Sequence, residues 1–77
     1  MMKGIQSKHL ELMQHNMNVY LQLLYLNCLM YLFDDQIQIS YDLCMATHKI
    51  AIRIDENRNN KWVHKTSSLL LFLMNFK

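Results

Sequence analysis

The most extensive pattern in the chain is an uncharged run from Leu12 to Phe33, which contains no Asp, Glu, Lys or Arg. Within it and upstream of it, apolar residues recur every seven positions, as in a helix that packs against another helix. The positions of this first stripe are Ile5, Leu12, Val19, Leu26 and Phe33, with His9, Asn16, Leu23 and Met30 between them. The pattern predicts one long helix over about residues 7–33, with Ser7 as its N-cap.

A second apolar stripe follows the same predicted helix, and beyond Gln22 the helix is apolar on nearly every side. The members of this second stripe are Leu10, Met13, Met17, Leu21, Leu24, Cys28 and Tyr31. A helix that is apolar on every side must be buried on every side, in protein or in lipid. A domain of this size buries only ~60–65% of its unfolded surface, so the chain alone cannot bury all of this helix. We therefore expect one stripe to face the chain's own core and the other to face a second copy or a partner.

The seam predicted for that partner runs along the strongest part of the first stripe. It consists of Val19, Leu23, Leu26, Asn27, Met30 and Phe33. Asn27 belongs to it because a polar residue in an apolar seam can fix the register of two helices.

Two later segments, 36–43 and 48–55, alternate between apolar and polar residues, which is typical of half-buried strands, and 61–66 would return as the partner of the second. Strands are expected at about 36–43, 48–55 and 61–66, and the loop ENRNN at 56–60 would close a hairpin between the last two. A helix remains the alternative for 36–47, and the C-terminal segment 68–76 fits either a helix or a buried edge strand. The expected fold is α+β: a single small domain, residues 1–77, with a long N-terminal helix on a two- or three-stranded antiparallel sheet.

Composition bears on origin and location. The chain has one Gly, no Pro and a net charge of +2, and it is rich in Leu, Met, Asn, Ile, Lys and Tyr. This bias is typical of AT-rich genomes, such as those of phages, viruses, mobile elements or low-GC bacteria. Cys28 and Cys44 lack paired spacing, which indicates buried thiols in a reducing, cytoplasmic setting.

A membrane-associated protein is a weaker alternative, because Val19–Phe33 is interrupted by Gln22 and Asn27 and falls short of the ~20 residues of a spanning helix.

A basic face on the predicted hairpin supports a different alternative, nucleic-acid binding. A β-ribbon with cations on one side can follow a phosphate backbone. The candidate contacts are Lys49, Arg53, Arg58, Lys61 and Lys65.

No catalytic, metal or cofactor residues are assigned. A single glycine leaves no glycine-rich phosphate loop, and no serine elbow or acidic metal cluster is present. A zinc site would require Cys44, His48 and His64 to converge with a fourth ligand. The sequence therefore favours a non-enzymatic regulator or inhibitor that binds another macromolecule, as a homodimer or on a host regulatory protein.

Overall fold

Three α-helices and no strand occur in the part of the chain that the structure describes. The computed structural model describes the backbone of residues 2–54 and 61–76 and the side chains of residues 15–54 and 61–76. Helix α1 spans Met2–Phe33, α2 spans Ile37–Ile54 and α3 spans Lys61–Met74. Helix α2 packs against both of its neighbours along most of its length, whereas α1 and α3 meet only briefly.

The expected α+β fold is therefore wrong. The segments predicted as strands, 36–43, 48–55 and 61–66, lie in α2 and α3 almost throughout, and the predicted hairpin loop 56–60 lies outside the described residues. The C-terminal segment is helical as far as Met74. The helical alternative for 36–47 is the one the structure adopts.

The reason for the error lies in the buried face of α2. This face consists of the small residues Ser40, Cys44, Thr47 and Ala51, all fully buried. Their spacing of four, three and four places them on one side of a helix. The strand interpretation placed Ser40 on the solvent side and placed Ala51 and Trp62 on different faces of the hairpin. In the structure Ser40 is buried, and Ala51 and Trp62 share one core cluster.

Small side chains on α2 allow both neighbouring helices to approach closely. The Ser40 hydroxyl donates a hydrogen bond of 2.7 Å to the backbone carbonyl of Cys28, and so ties α2 to α1. The hydroxyls of Thr47 and Thr66 donate to carbonyls one turn earlier in their own helices. No described buried side-chain nitrogen or oxygen lacks a partner, so these polar groups can be buried without the penalty of an unmade hydrogen bond.

The larger apolar side chains of the core come from α1 and α3. Together with Cys44 and Ala51 of α2 they form two clusters, one of Cys28, Cys44, Leu69, Leu70 and Leu73 and another of Leu21, Ala51 and Trp62. None of the helices within residues 2–54 and 61–76 combines the length and apolar character that a membrane span requires.

Helix α1 starts earlier than the sequence indicated but ends at the same residue. The backbone of Ser7 is already helical, so Ser7 is not the N-cap. After Phe33 the chain turns through Asp35, whose φ of 63° lies in the left-handed region. The Gln36 amide donates to the Tyr31 carbonyl at 2.8 Å and the Asp35 amide to the Leu32 carbonyl at 3.1 Å, the two bonds of a Schellman motif.

Enlarging the small face of α2 should destabilise the protein. We expect Ala51→Leu to lower the free energy of unfolding by about 1–3 kcal/mol, because extra methylenes in a packed core force side chains and backbone apart. Ala46→Leu is the matched control, since Ala46 lies on the same helix but is exposed. It should stay within about 0.5 kcal/mol of the parent. Chemical denaturation followed by circular dichroism measures both, and equal effects would contradict the packing described here.

The left-handed turn gives a second prediction. Asp35→Gly should raise the free energy of unfolding by up to about 1 kcal/mol, because glycine adopts positive φ without the steric cost of a Cβ. Asp34→Gly is the control: it removes the same charge beside the same helix end, but from a residue without positive φ. Denaturation at high salt, which screens surface charge, should show stabilisation for Asp35→Gly alone.

Candidate functional site

Helix α1 carries apolar side chains on two opposite sides. Leu21 and Cys28 are buried against the other helices. Leu23 follows Leu21 by two residues and Leu26 precedes Cys28 by two, and two residues turn a helix by about 200°. Both therefore point away from the core. The outer stripe, as we call this exposed set, comprises Val19, Leu23, Leu26, Met30 and Phe33, which are 43%, 55%, 46%, 65% and 87% exposed.

The two stripes read from the sequence thus take different environments. The second stripe supplies the buried side of α1, with Leu21 and Cys28 inside and Met17 and Leu24 half-buried, although Tyr31 is exposed. The first stripe supplies the outer stripe. Members of either stripe before residue 15 have side chains outside the described set. Coverage of the outer stripe by a partner stays a prediction.

Asn27 lies at the edge of the outer stripe, where its amide is exposed. Together with Met30, Tyr31, Phe33 and Asp34 it lines a shallow, open depression of about 440 Å³. The depression is formed by the last turns of α1, so it belongs to the same apolar surface.

A smaller apolar surface lies at the end of α3. Leu71, Phe72, Met74 and Phe76 are each at least half exposed. The rings of Phe72 and Phe76 pack edge to face, with centroids 5.0 Å apart, and so partly shield each other. The sequence left this segment as either a helix or a buried edge strand, and no site residue was assigned to it.

The five basic residues do not form the single face expected of a hairpin. Lys49 and Arg53 are exposed on α2, about 140–180° around the helix from Cys44 and so on its outer side. Lys61 and Lys65 are on α3, on the side turned toward α1, and Arg58 lies outside the described residues. The structure therefore separates the basic residues of α2 from those of α3.

Lys61 and Lys65 are held by aromatic rings at the junction of α1 and α3. The Lys65 ammonium lies 5.1 Å from the Trp62 ring centroid and 5.8 Å from that of Tyr25, and the Lys61 ammonium lies 5.2 Å from Trp62. The Trp62 indole donates to the Asn18 side-chain oxygen at 3.2 Å. The predicted hairpin did not bring these residues together as a cluster, although the spacing of four between the lysines fits one helix face.

The cysteines and His48 make hydrogen bonds within the described core. The Cys44 thiol donates to the Thr66 carbonyl, with sulfur and oxygen 3.5 Å apart. The Thr66 hydroxyl donates its one proton to the Trp62 carbonyl at 2.6 Å, so it accepts from His48 Nδ1 at 2.8 Å. Within the described ranges no three His, Cys, Asp or Glu side chains come close enough to share a metal, and His64 is exposed on α3.

Burial of the thiols has an electrostatic consequence. The hydrogen-bonding contact with the Cys28 thiol, followed by burial, raises the pKa of the Cys44 thiol. Both thiols are fully buried, so neither is placed to act as a nucleophile. Burial also raises the pKa of the Tyr25 hydroxyl, with smaller contributions from the two cysteines.

These shifts predict a loss of stability at alkaline pH. An unfolded thiol loses its proton near pH ~8.5, whereas folded Cys44 keeps it, so the stabilisation is complete below that pH and falls as the pH rises above it. Cys44→Ala should remove this part of the slope even if it lowers stability overall. Tyr25→Phe is the comparison, since its effect should begin only near pH ~10. An unchanged slope in Cys44→Ala, measured by urea denaturation at several pH values, would contradict the assignment.

No protein-family model matches the chain, and no curated protein or solved structure shows significant similarity to it.

Proposed function

We propose that the protein is a small, non-enzymatic regulator or inhibitor that acts by protein–protein interaction, as a homodimer joined through the outer stripe of α1. The observation that carries this proposal is the exposure of five large apolar side chains, Val19 through Phe33, in one line on the longest helix. Their spacing of four, three, four and three is that of helices packed knobs-into-holes.

Energetics support a protein partner for this surface. Full burial of one Val, Leu, Met or Phe side chain is worth about 1.5–3 kcal/mol. Covering all five side chains of the outer stripe would therefore be strongly favourable. The exposed area amounts to several hundred Å², and the largest apolar patch on a typical monomer is ~300–600 Å². Adding the flanking residues brings the surface toward the ~800 Å² per partner of a standard specific interface.

A second copy of the chain is the occupant we favour over a helix from a host regulatory protein. The outer stripe is regular and flanked by uncharged Tyr20, Gln22 and Asn27, so it can pair with itself without like charges meeting along its sides. Nucleic-acid binding has less support, because the cations that suggested it lie on two faces.

We place the protein in the cytoplasm, a proposal supported by its two free buried thiols. The AT-rich coding bias suggests a phage or mobile-element origin.

Sedimentation equilibrium of the whole chain tests the homodimer. The parent should sediment at low micromolar concentration with twice its mass of 9.3 kDa. Leu26→Glu should shift it to monomer, raising the dissociation constant at least 100-fold, because a charge would be buried without a partner at the centre of the seam. Helicity by circular dichroism should persist, since Leu26 makes no part of the described core.

Ile52→Glu is the matched control. Ile52 is exposed to the same fraction as Leu26, 46%, but lies on α2, away from the outer stripe. It should leave the mass unchanged. A parent that is monomeric well above micromolar concentration, or equal loss of dimer in both variants, would overturn the proposal.

A further inference from the structure

We propose that Cys28 and Cys44 form a redox site, at which a hydroperoxide converts the two buried thiols into a disulfide that joins α1 to α2. The proposal does not depend on the homodimer. It follows from the contact between the two sulfur atoms and from the close approach of the helices that carry them.

The two thiols come from different helices but meet in one core cluster, where both are fully buried. The Cys44 thiol donates to the Thr66 carbonyl, with sulfur and oxygen 3.5 Å apart, and also lies within hydrogen-bonding reach of the Cys28 sulfur. The chain has two cysteines, so this pair is the one disulfide that a single copy can form.

The backbones of α1 and α2 approach closely at this point. A disulfide joins Cα atoms about 4.4–6.8 Å apart, so only closely packed helices can carry one between them. The Ser40 hydroxyl, on a side chain of one carbon, reaches the Cys28 carbonyl at 2.7 Å. Ser40 lies one turn before Cys44 on the same face of α2. The small-residue face that allows this hydrogen bond therefore also brings Cys44 to α1.

The surroundings of the two sulfurs make Cys28 the first to react. The hydrogen-bonding contact with the Cys44 thiol lowers the pKa of the Cys28 thiol and outweighs the opposing effect of burial. Because peroxide oxidises the thiolate, Cys28 is the site of attack and Cys44 is the second thiol. In the closed fold neither thiol meets a molecule from outside, so the peroxide reaches Cys28 when the helices open locally.

The reaction has two steps. The Cys28 sulfur bonds to one peroxide oxygen, the O–O bond breaks, and the other oxygen leaves with the thiol proton as water, which gives a sulfenic acid. The Cys44 sulfur then bonds to the Cys28 sulfur, the S–O bond breaks, and the second oxygen leaves with the Cys44 proton as water. Two thiols and one peroxide thus give one disulfide and two waters, so no further reactant is needed.

Oxidation changes the contacts of α2. The Cys44 thiol loses its proton and with it the hydrogen bond to the Thr66 carbonyl on α3, while α2 becomes covalently bound to α1. A cross-link between positions that are neighbours in the native fold restricts the unfolded chain and so stabilises the folded one. In a reducing compartment such a bond is transient and lasts only while oxidant is present.

Peptide mapping of the oxidised chain tests the pairing. The reduced parent is treated at low micromolar concentration with hydrogen peroxide, its remaining thiols are blocked with N-ethylmaleimide, and it is digested with a protease that cleaves before aspartate. Asp34 and Asp35 lie between the two cysteines, so only a disulfide keeps their peptides together in the mass spectrum. We expect this linked pair, and we expect reductant to separate it.

Cys28→Ala and Cys44→Ala are the controls for the map. Each leaves one thiol, so neither should give the linked pair, and circular dichroism should show that both keep their helices. A parent that links two copies instead of its own two cysteines would overturn the proposal. So would a parent that forms the linked pair only after unfolding in urea.

Thermal unfolding tests whether the bond joins native neighbours. The oxidised parent should melt at least about 5 °C above the same sample after dithiothreitol is added. Dithiothreitol reverses the disulfide but leaves oxidised methionines as they are, so the difference reports the disulfide alone. Peroxide-treated Cys44→Ala should show no such difference. An equal or lower melting temperature in the oxidised parent would overturn the proposal, because a bond between positions that are apart in the native fold strains it.

Discussion

Close packing of three helices around the small-residue face of α2 is the constraint on which the rest of the structure depends. This face, made of Ser40, Cys44, Thr47 and Ala51, buries little apolar area. Its small side chains instead allow the neighbouring helices to approach closely. Proximity in turn makes the interhelical bond from Ser40 to the Cys28 carbonyl possible. Each hydroxyl on this face must donate to a carbonyl, because an unpaired one would cost about 1–3 kcal/mol.

The small-residue face of α2 also determines how much of α1 is buried. A helix with small residues on its buried face leaves little room between its neighbours, so α1 buries only one side, through Leu21 and Cys28. The opposite side of α1 then has nothing within the described chain to cover it. The result is an unusual partition, with Thr47 and Thr66 fully buried while Met30 and Phe33 are largely exposed. Large exposed apolar patches are typical of interaction surfaces, which is why the proposed homodimer is placed on the outer stripe.

The sequence predicted α1 and the division of its apolar residues into two stripes, because a long run with a seven-residue repeat has few other interpretations. It favoured strands over α2 and kept a helix for 36–47 only as the alternative. Ile37, Ile39, Tyr41 and Leu43 alternate like a strand, but alternation over so few residues does not exclude a helix. The discriminating signal was the spacing of Ser40, Cys44, Thr47 and Ala51. A search for large apolar residues passes over such a set, since small polar residues enter a core only when backbones come close.

The same limitation applies to α3, and here it affects the site. Lys61 and Lys65 appeared in the sequence as two of five cations on a flat face, a pattern that suits phosphate binding. In the helix they lie one turn apart, beside an indole and a phenol, and each ammonium is held by ring contact. Ring contact fixes where each ammonium lies and joins the lysines to the packing of Trp62 against α1, whereas a flat basic face leaves its cations to the solvent. The change from strand to helix therefore replaces one continuous basic face by cations on two separate helices, and so removes the pattern that suggested phosphate binding.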